Sequence, residues 1–168
     1  MTEIPTPDKR ETFMRAVYLH ASSSKDPRTK IGAVLVKDDN IISTGFNGFP
    51  RKVKDYEDRY NDKEIKYSFI VHGEQNAVLT AARLGINTYG STLYSNGIPC
   101  CSCMKAIIQA GCCKVVVHKQ WPNLTYSPKW VEATRISEIM MNEAGIELEW
   151  FDKILNINGF LDGKEIAV

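Results

Sequence analysis

The fold class predicted for this chain is α/β: a three-layer α/β/α sandwich around a mixed five-stranded sheet. Three observations predict it. From residue 73 onward, short apolar runs of strand length alternate with segments of helical period. Before them, two strand-like runs joined by a tight polar turn make a hairpin, so the sheet starts antiparallel and continues through β-α-β units. The 168 residues, 43% apolar and 24% charged, suit one domain spanning 1–168 around one core.

The elements follow in order. Asp8 is an N-cap candidate, and the run to about Ser24 carries Phe13, Val17 and Leu19 on a helical face. Pro27 disfavours helix at Asp26 and closes that run. IGAVLVK (31–37) is nearly continuous in apolar residues, as in a buried strand. KDDN turns the chain into a second strand, IISTGF (41–46), and NGFPR (47–51) is a Gly/Pro loop. Residues 51–70 are the most charged stretch; they read as a solvated surface loop or helix, with a lid or subunit contact as the alternative. GEQNAVLTAARL (73–84) is helical and stops at Gly85, and STLYSN (91–96) is a strand. CCSCMKAIIQAG (100–111) is a helix stopped by Gly111, followed by the strand KVVVHK (114–119). Residues 130–145 form a long helix, again stopped by glycine, and IELEWF (146–151) alternates as a last strand.

Composition narrows the function. Lys and Arg number 21 against 20 Asp and Glu, which leaves no electrostatic footprint for a long nucleic acid but does not disfavour a small phosphorylated ligand. The first fifteen residues contain no apolar signal-peptide core, and no run approaches the roughly 18 apolar residues of a membrane span. A cytoplasmic protein without membrane partners is expected. All five cysteines (100, 101, 103, 112 and 113) fall within 14 residues, which fits a metal site and buried thiols better than a disulfide scaffold.

Two segments carry chemistry: His72-Gly73-Glu74 and Pro99-Cys100-Cys101-Ser102-Cys103. Each begins a helix. Cys100 and Cys103, three apart, share a helical face, and a helix N-terminus favours the thiolates a metal needs. His72 completes three protein ligands, which with an open fourth position describe a catalytic Zn2+ site. Glu74 is too close to His72 to be a comfortable co-ligand, yet close enough to move protons between water and substrate. H-x-E followed by P-C-x-x-C is a known signature of zinc deaminases. Cys101 points about 100° away from Cys100 on a helix and makes a poor fourth ligand. Cys112, Cys113 and His118 read as packing residues, and His20 as an ordinary histidine.

The chain resembles the deoxycytidylate (dCMP) deaminases of tailed phages and vertebrates, within the cytidine-deaminase superfamily, over roughly residues 12–150. The resemblance rests on SKDPRTKIGA (24–33), STGFNGFP (43–50), HGEQNA (72–77), and PC-x-x-C (99–103) with IIQAG (107–111). Phe46 stands where the family's G-Y-N-G-x-P loop has Tyr; Gly73 and Gln75 replace its usual Ala and Leu, and residues 96–98 also depart from it. The resemblance implies a cytidine-deaminase-like fold, about one catalytic zinc per chain, and hydrolysis of dCMP to dUMP for thymidylate synthesis. It implies substrate contacts at Asn47 and Ser24, with loop capping as the bland role for Asn47. It implies a homo-oligomer, often a hexamer, activated by dCTP and inhibited by dTTP near the 45–50 loop. Lys25, Arg28, Gly45, Phe46 and Gly48 are the candidate effector residues, although Gly45 and Gly48 are also simple turn formers. The competing readings are a deaminase of another nucleoside or of a tRNA base, and a non-catalytic zinc module; near-neutral charge argues against the tRNA base and Glu74 against the module. A phage origin, with action in the host cytoplasm, is an expectation of the resemblance alone.

Overall fold

Side-chain alternation along β1 (Gly32–Lys37) sets the layers. Ala33 and Leu35 point to one face of the sheet and Val34 and Val36 to the other, and both sets are buried. A strand buried on both sides needs a covering layer on each. The computed structural model describes residues 8–121 and 128–168.

The main sheet has the order β2-β1-β3-β4-β5, with β2 (Asn40–Phe46), β3 (Thr92–Ser95), β4 (Lys114–His118) and β5 (Glu147–Phe151). β1 is antiparallel to both β2 and β3, while β3, β4 and β5 run parallel. α4 (Gly73–Leu84), α5 (Cys101–Gln109) and α6 (Pro128–Glu143) cover the Ala33–Leu35 face. Ala77, Ala81, Met104, Ile107 and Met141 meet Leu93, Val115 and Val117 there. α1 (Lys9–Ala21) covers the other face through Phe13, Met14, Val17 and Tyr18. The Asp8 carboxylate caps it by accepting from the Arg10 N–H at 3.0 Å.

The mixed five-stranded sandwich is therefore as the sequence predicts, and α4 matches the predicted 73–84 residue for residue. One feature differs, and one open reading is resolved. The chain continues past β5 into a hairpin, β6 (Asn158–Leu161) and β7 (Lys164–Ala167), which shares the third layer with α1. The charged stretch folds into two short helices, α2 (Glu57–Asn61) and α3 (Lys63–Phe69). Asp62 caps α3, its carboxylate accepting from the N–H groups of Glu64 and Ile65. Among the described residues, no helix is long and apolar enough to cross a membrane.

His118 is a packing histidine: its Nε2 donates to the Lys153 carbonyl at 2.9 Å, so its Nδ1 accepts from the Tyr18 hydroxyl at 2.7 Å. Burial holds it below the ordinary histidine range and keeps it neutral.

Contact between β2 and α4 depends on Gly45. A Cβ there would stand 2.2 Å from the Gly73 carbonyl oxygen and 2.3 Å from the Ala77 nitrogen. Both are backbone atoms and cannot rotate away. Gly45→Ala is expected to cost about 1–3 kcal/mol or more by forcing α4 off the sheet. Denaturant unfolding measures it, and an unchanged midpoint would show that the helix yields more easily than its backbone contacts imply.

Candidate active site

Two helix starts meet at one point. His72 is the N-cap of α4 and Cys100 the N-cap of α5, each with extended backbone and neither using its side chain as a cap. Both side chains are thereby free to point across the gap between the helices, where Cys103, on the first turn of α5, joins them. The ring nitrogen Nδ1 of His72 lies 3.3 Å from the Cys100 sulfur and 3.4 Å from the Cys103 sulfur. The three donor atoms all lie within 4.8 Å of one another, and among the described residues they are the one such cluster of metal-ligating groups. Zn–S of about 2.3 Å and Zn–N of about 2.0–2.1 Å at a tetrahedral angle put ligand atoms about 3.6 Å apart, so the triad fits zinc. Trp130 of α6 lies against the His72 ring, centroids 5.6 Å apart and planes 28° from parallel.

The donor set is charged in the way a metal exploits. Hydrogen bonding with Cys103 lowers the pKa of the Cys100 thiol, and the neighbouring His72 lowers it further. Cys103 moves the other way, raised by the same bond to Cys100 and by burial. The shared hydrogen bond and burial thus oppose ionisation of both thiols at once while no metal is bound. Burial opposes the imidazolium of His72, but the bond to Cys100 and the charges of Glu74 and Cys100 outweigh it and raise its pKa. Zinc must displace these protons to bind, so metal uptake weakens with acid.

Glu74 is the second residue of α4 and only 4% exposed. One carboxylate oxygen lies 3.7 Å from the Cys103 sulfur. Burial pushes its carboxyl up to about 7, and the nearby His72 charge pulls against that. A carboxyl near neutrality is poised to take and return protons; a dication beside it would favour its ionised form.

Glu74 and His72 face a cavity of about 320 Å³. Its walls include the 26–31 loop, the α2–α3 segment, Gly97 and Ile98 before α5, Trp130 of α6, and the turn of the C-terminal hairpin at Leu161 and Asp162. Asn47 also lines it, but its amide is committed. Its Oδ1 accepts from the Ile31 N–H at 2.8 Å, and its Nδ2 donates to the Thr29 carbonyl at 2.8 Å and to Asp26 at 3.3 Å. Ser24 lies behind this wall and does not line the cavity; its hydroxyl donates to the Asn47 carbonyl at 2.7 Å. Arg28 lines the same cavity as Glu74.

The remaining effector candidates lie elsewhere. Lys25 pairs with Asp55 at 2.7 Å, Phe46 is partly exposed, and Gly48 bridges Val71 by two backbone hydrogen bonds just before His72. Gly45 is buried against α4 and has a packing role. Cys101 is half-buried on α5 outside the metal cluster. Gly73 also has a steric reason: a Cβ there would come within 2.8 Å of the Ile31 carbonyl oxygen, and Ile31 lines the cavity. Sequence reasoning missed Trp130, Lys66 and the hairpin turn. The turn alone carries a local signal, the Asp162-Gly163 pair.

Known proteins resemble this chain in sequence and in fold. The family described as "cytidine and deoxycytidylate deaminase zinc-binding region" matches residues 7–119. A deaminase encoded in the luxG 3′ region of Aliivibrio fischeri is 38% identical over 138 residues, covering 82% of this chain and 90% of the relative. A probable deoxycytidylate deaminase of Drosophila melanogaster is 34% identical over 148 residues, covering 80% of this chain and 68% of the relative. The crystal structure of the dCMP deaminase of cyanophage S-TIM5 with dCMP and dUMP superposes with a TM-score of 0.65 at 27% identity, covering 88% of this chain and all of that one.

Proposed function

Because this chain belongs to the family of cytidine and deoxycytidylate deaminases, we propose that it is a cytoplasmic enzyme that hydrolyses dCMP to dUMP and ammonia, supplying dUMP for thymidylate synthesis. The observation that carries this reading is the placement of Glu74. It stands beside the His72, Cys100 and Cys103 triad at the inner end of a cavity whose outer wall bears the exposed cations Arg28 and Lys63.

His72, Cys100 and Cys103 hold the zinc. When bound, it supplies Lewis acidity that makes water a nucleophile near neutral pH. Glu74 takes a proton from the attacking water and gives it to N3 of the cytosine ring as C4 becomes tetrahedral. It then carries the second proton to the exocyclic nitrogen; the C4–N4 bond breaks, C4 becomes a carbonyl, and ammonia leaves. Trp130 fixes the plane of the His72 ring. Arg28 and Lys63 suit the 5′-phosphate of a mononucleotide.

A substrate panel of dCMP, CMP, deoxycytidine, cytidine and a tRNA anticodon stem, with ammonia release as readout, tests the reading. Turnover of dCMP at least about tenfold above the others in kcat/KM is expected, and preference for a nucleoside or for the stem would overturn it. We further propose, from the resemblance of the 24–33 and 43–50 segments, a homo-oligomer in which dCTP activates and dTTP inhibits. Regulation of this kind typically changes affinity by about 5–150-fold. Hyperbolic dCMP kinetics indifferent to saturating dCTP and dTTP would remove that proposal and leave the deaminase standing.

A further inference from the structure

Asp26 and Lys66 form a buried charged pair in the wall of the cavity, and the reaction does not use it. The Lys66 Nζ lies 3.0 Å from Oδ2 and 3.2 Å from Oδ1 of Asp26, and the two side chains are only 8% and 4% exposed. Asp26 is also the hub of its own loop: Oδ1 accepts from the N–H groups of Arg28 and Thr29, and Oδ2 accepts from Asn47. Lys66 lies in the middle of α3, so one ion pair joins two walls of the same cavity.

Burying two charges costs solvation, and an apolar pair would serve stability as well or better. Other contacts already hold the α2–α3 segment. Phe49 stacks on Tyr60 with centroids 4.2 Å apart and meets Phe69, and Lys25 pairs with Asp55 at the surface. The buried pair differs from these in direction. A buried ammonium held against both oxygens of the carboxylate that also accepts from the Arg28 and Thr29 N–H groups ties α3 to that loop's backbone, a link that ring stacking alone does not supply.

We propose that the Asp26–Lys66 pair is a latch that seats the α2–α3 wall on the 26–31 loop and thereby sets nucleotide affinity. Both act as positioning residues. This rests on the reading of the cavity as a dCMP site. The wall they seat carries Tyr60, Asn61, Lys63 and Tyr67, none of which belongs to the helix starts that hold the metal and Glu74. Loss of the latch therefore removes binding common to ground and transition states and raises KM more than it lowers kcat.

The test compares zinc-loaded wild type, Lys66→Met, and the double variant Asp26→Asn with Lys66→Met. Lys66→Met leaves a buried carboxylate unpaired and loses stability; the double variant is neutral and regains most of it. Both should show KM for dCMP raised by about tenfold or more with kcat within about threefold of wild type. Both should show faster amide exchange in residues 57–69, unchanged exchange in β3 and β4, and normal zinc content. Recovery of wild-type KM together with stability in the double variant would make the pair structural only and overturn the proposal. So would unchanged exchange in 57–69. If Lys66→Met fails to fold, the neutral variant carries the test. If wild type itself does not turn over dCMP, the substrate reading fails, while the exchange measurement still decides whether the latch exists.

Discussion

Glu74→Gln is expected to yield a folded, zinc-loaded protein with turnover reduced by about 10²–10⁴-fold, the usual loss when a positioned proton carrier is removed. The side chain is nearly isosteric, and burial already favours the neutral form of this carboxyl, so the amide fits where the acid stood. What disappears is the ability to take a proton from water and release it to the ring. Stability supplies a second readout in the metal-free protein. The folded-state pKa of Glu74, about 7, lies above its ordinary value of 4.5. The wild type therefore loses stability as pH rises from 4.5 towards 7, because the unfolded chain ionises the carboxyl more readily. Glutamine removes that dependence, so metal-free Glu74→Gln should exceed metal-free wild type in melting temperature by a margin that grows across this window and then levels off. Near-wild-type ammonia release by the zinc-loaded variant would take Glu74 out of the mechanism.

Cys100→Ser and Cys103→Ser are each expected to abolish stoichiometric zinc and, with it, measurable turnover. A serine hydroxyl stays protonated where a thiolate ionises, so the site falls to two good ligands. Metal binding is coupled to folding, and here the triad ties the start of α4 to the start of α5, so thermal stability should fall as well. Cys103→Ser should cost more, because its sulfur is fully buried in the core between these helices and the hydroxyl finds less compensation. Cys101→Ser is the control: it lies outside the cluster and should keep both metal and melting temperature. Metal analysis decides the matter. Full zinc occupancy in Cys100→Ser, or a metal-free wild type with full activity, would refute the triad.

Part of this molecule can be read from short spacings. His72, Glu74, Cys100 and Cys103 are legible because a metal fixes residue types and because each pair sits within one turn of its own helix start. The structure refines the detail: Cys100 and His72 precede their helices as N-caps, which gives each side chain a direction that a helical position would not. Strands β1 to β5 are legible because their apolar patterns follow from burial on one or both faces. The hairpin at 158–167 is not, although Asp162 and Gly163 both take the positive φ of a tight hairpin turn. Its strands are four residues each, and their burial depends on Trp121 and Tyr18 from distant parts of the chain.

The sequence by itself therefore determined the candidate metal triad, the proposed proton carrier beside it and the layered sheet that brings two helix starts together. Each depends on residues close along the chain, where helix and strand periods translate spacing into direction. Only the tertiary structure decided the cavity. Its walls join residues 26–31, 47, 60–70, 97–98, 130 and 161–162, and nothing in local spacing says that these meet. It also decided what individual residues do there. Asn47 spends its amide on the loop, Ser24 supports it from behind, Gly73 makes room for Ile31, and Lys66, one cation among many in a charged stretch, is buried against Asp26. Those roles come from hydrogen bonds and contacts between distant segments, and they exist only once the sheet and its two covering layers have closed.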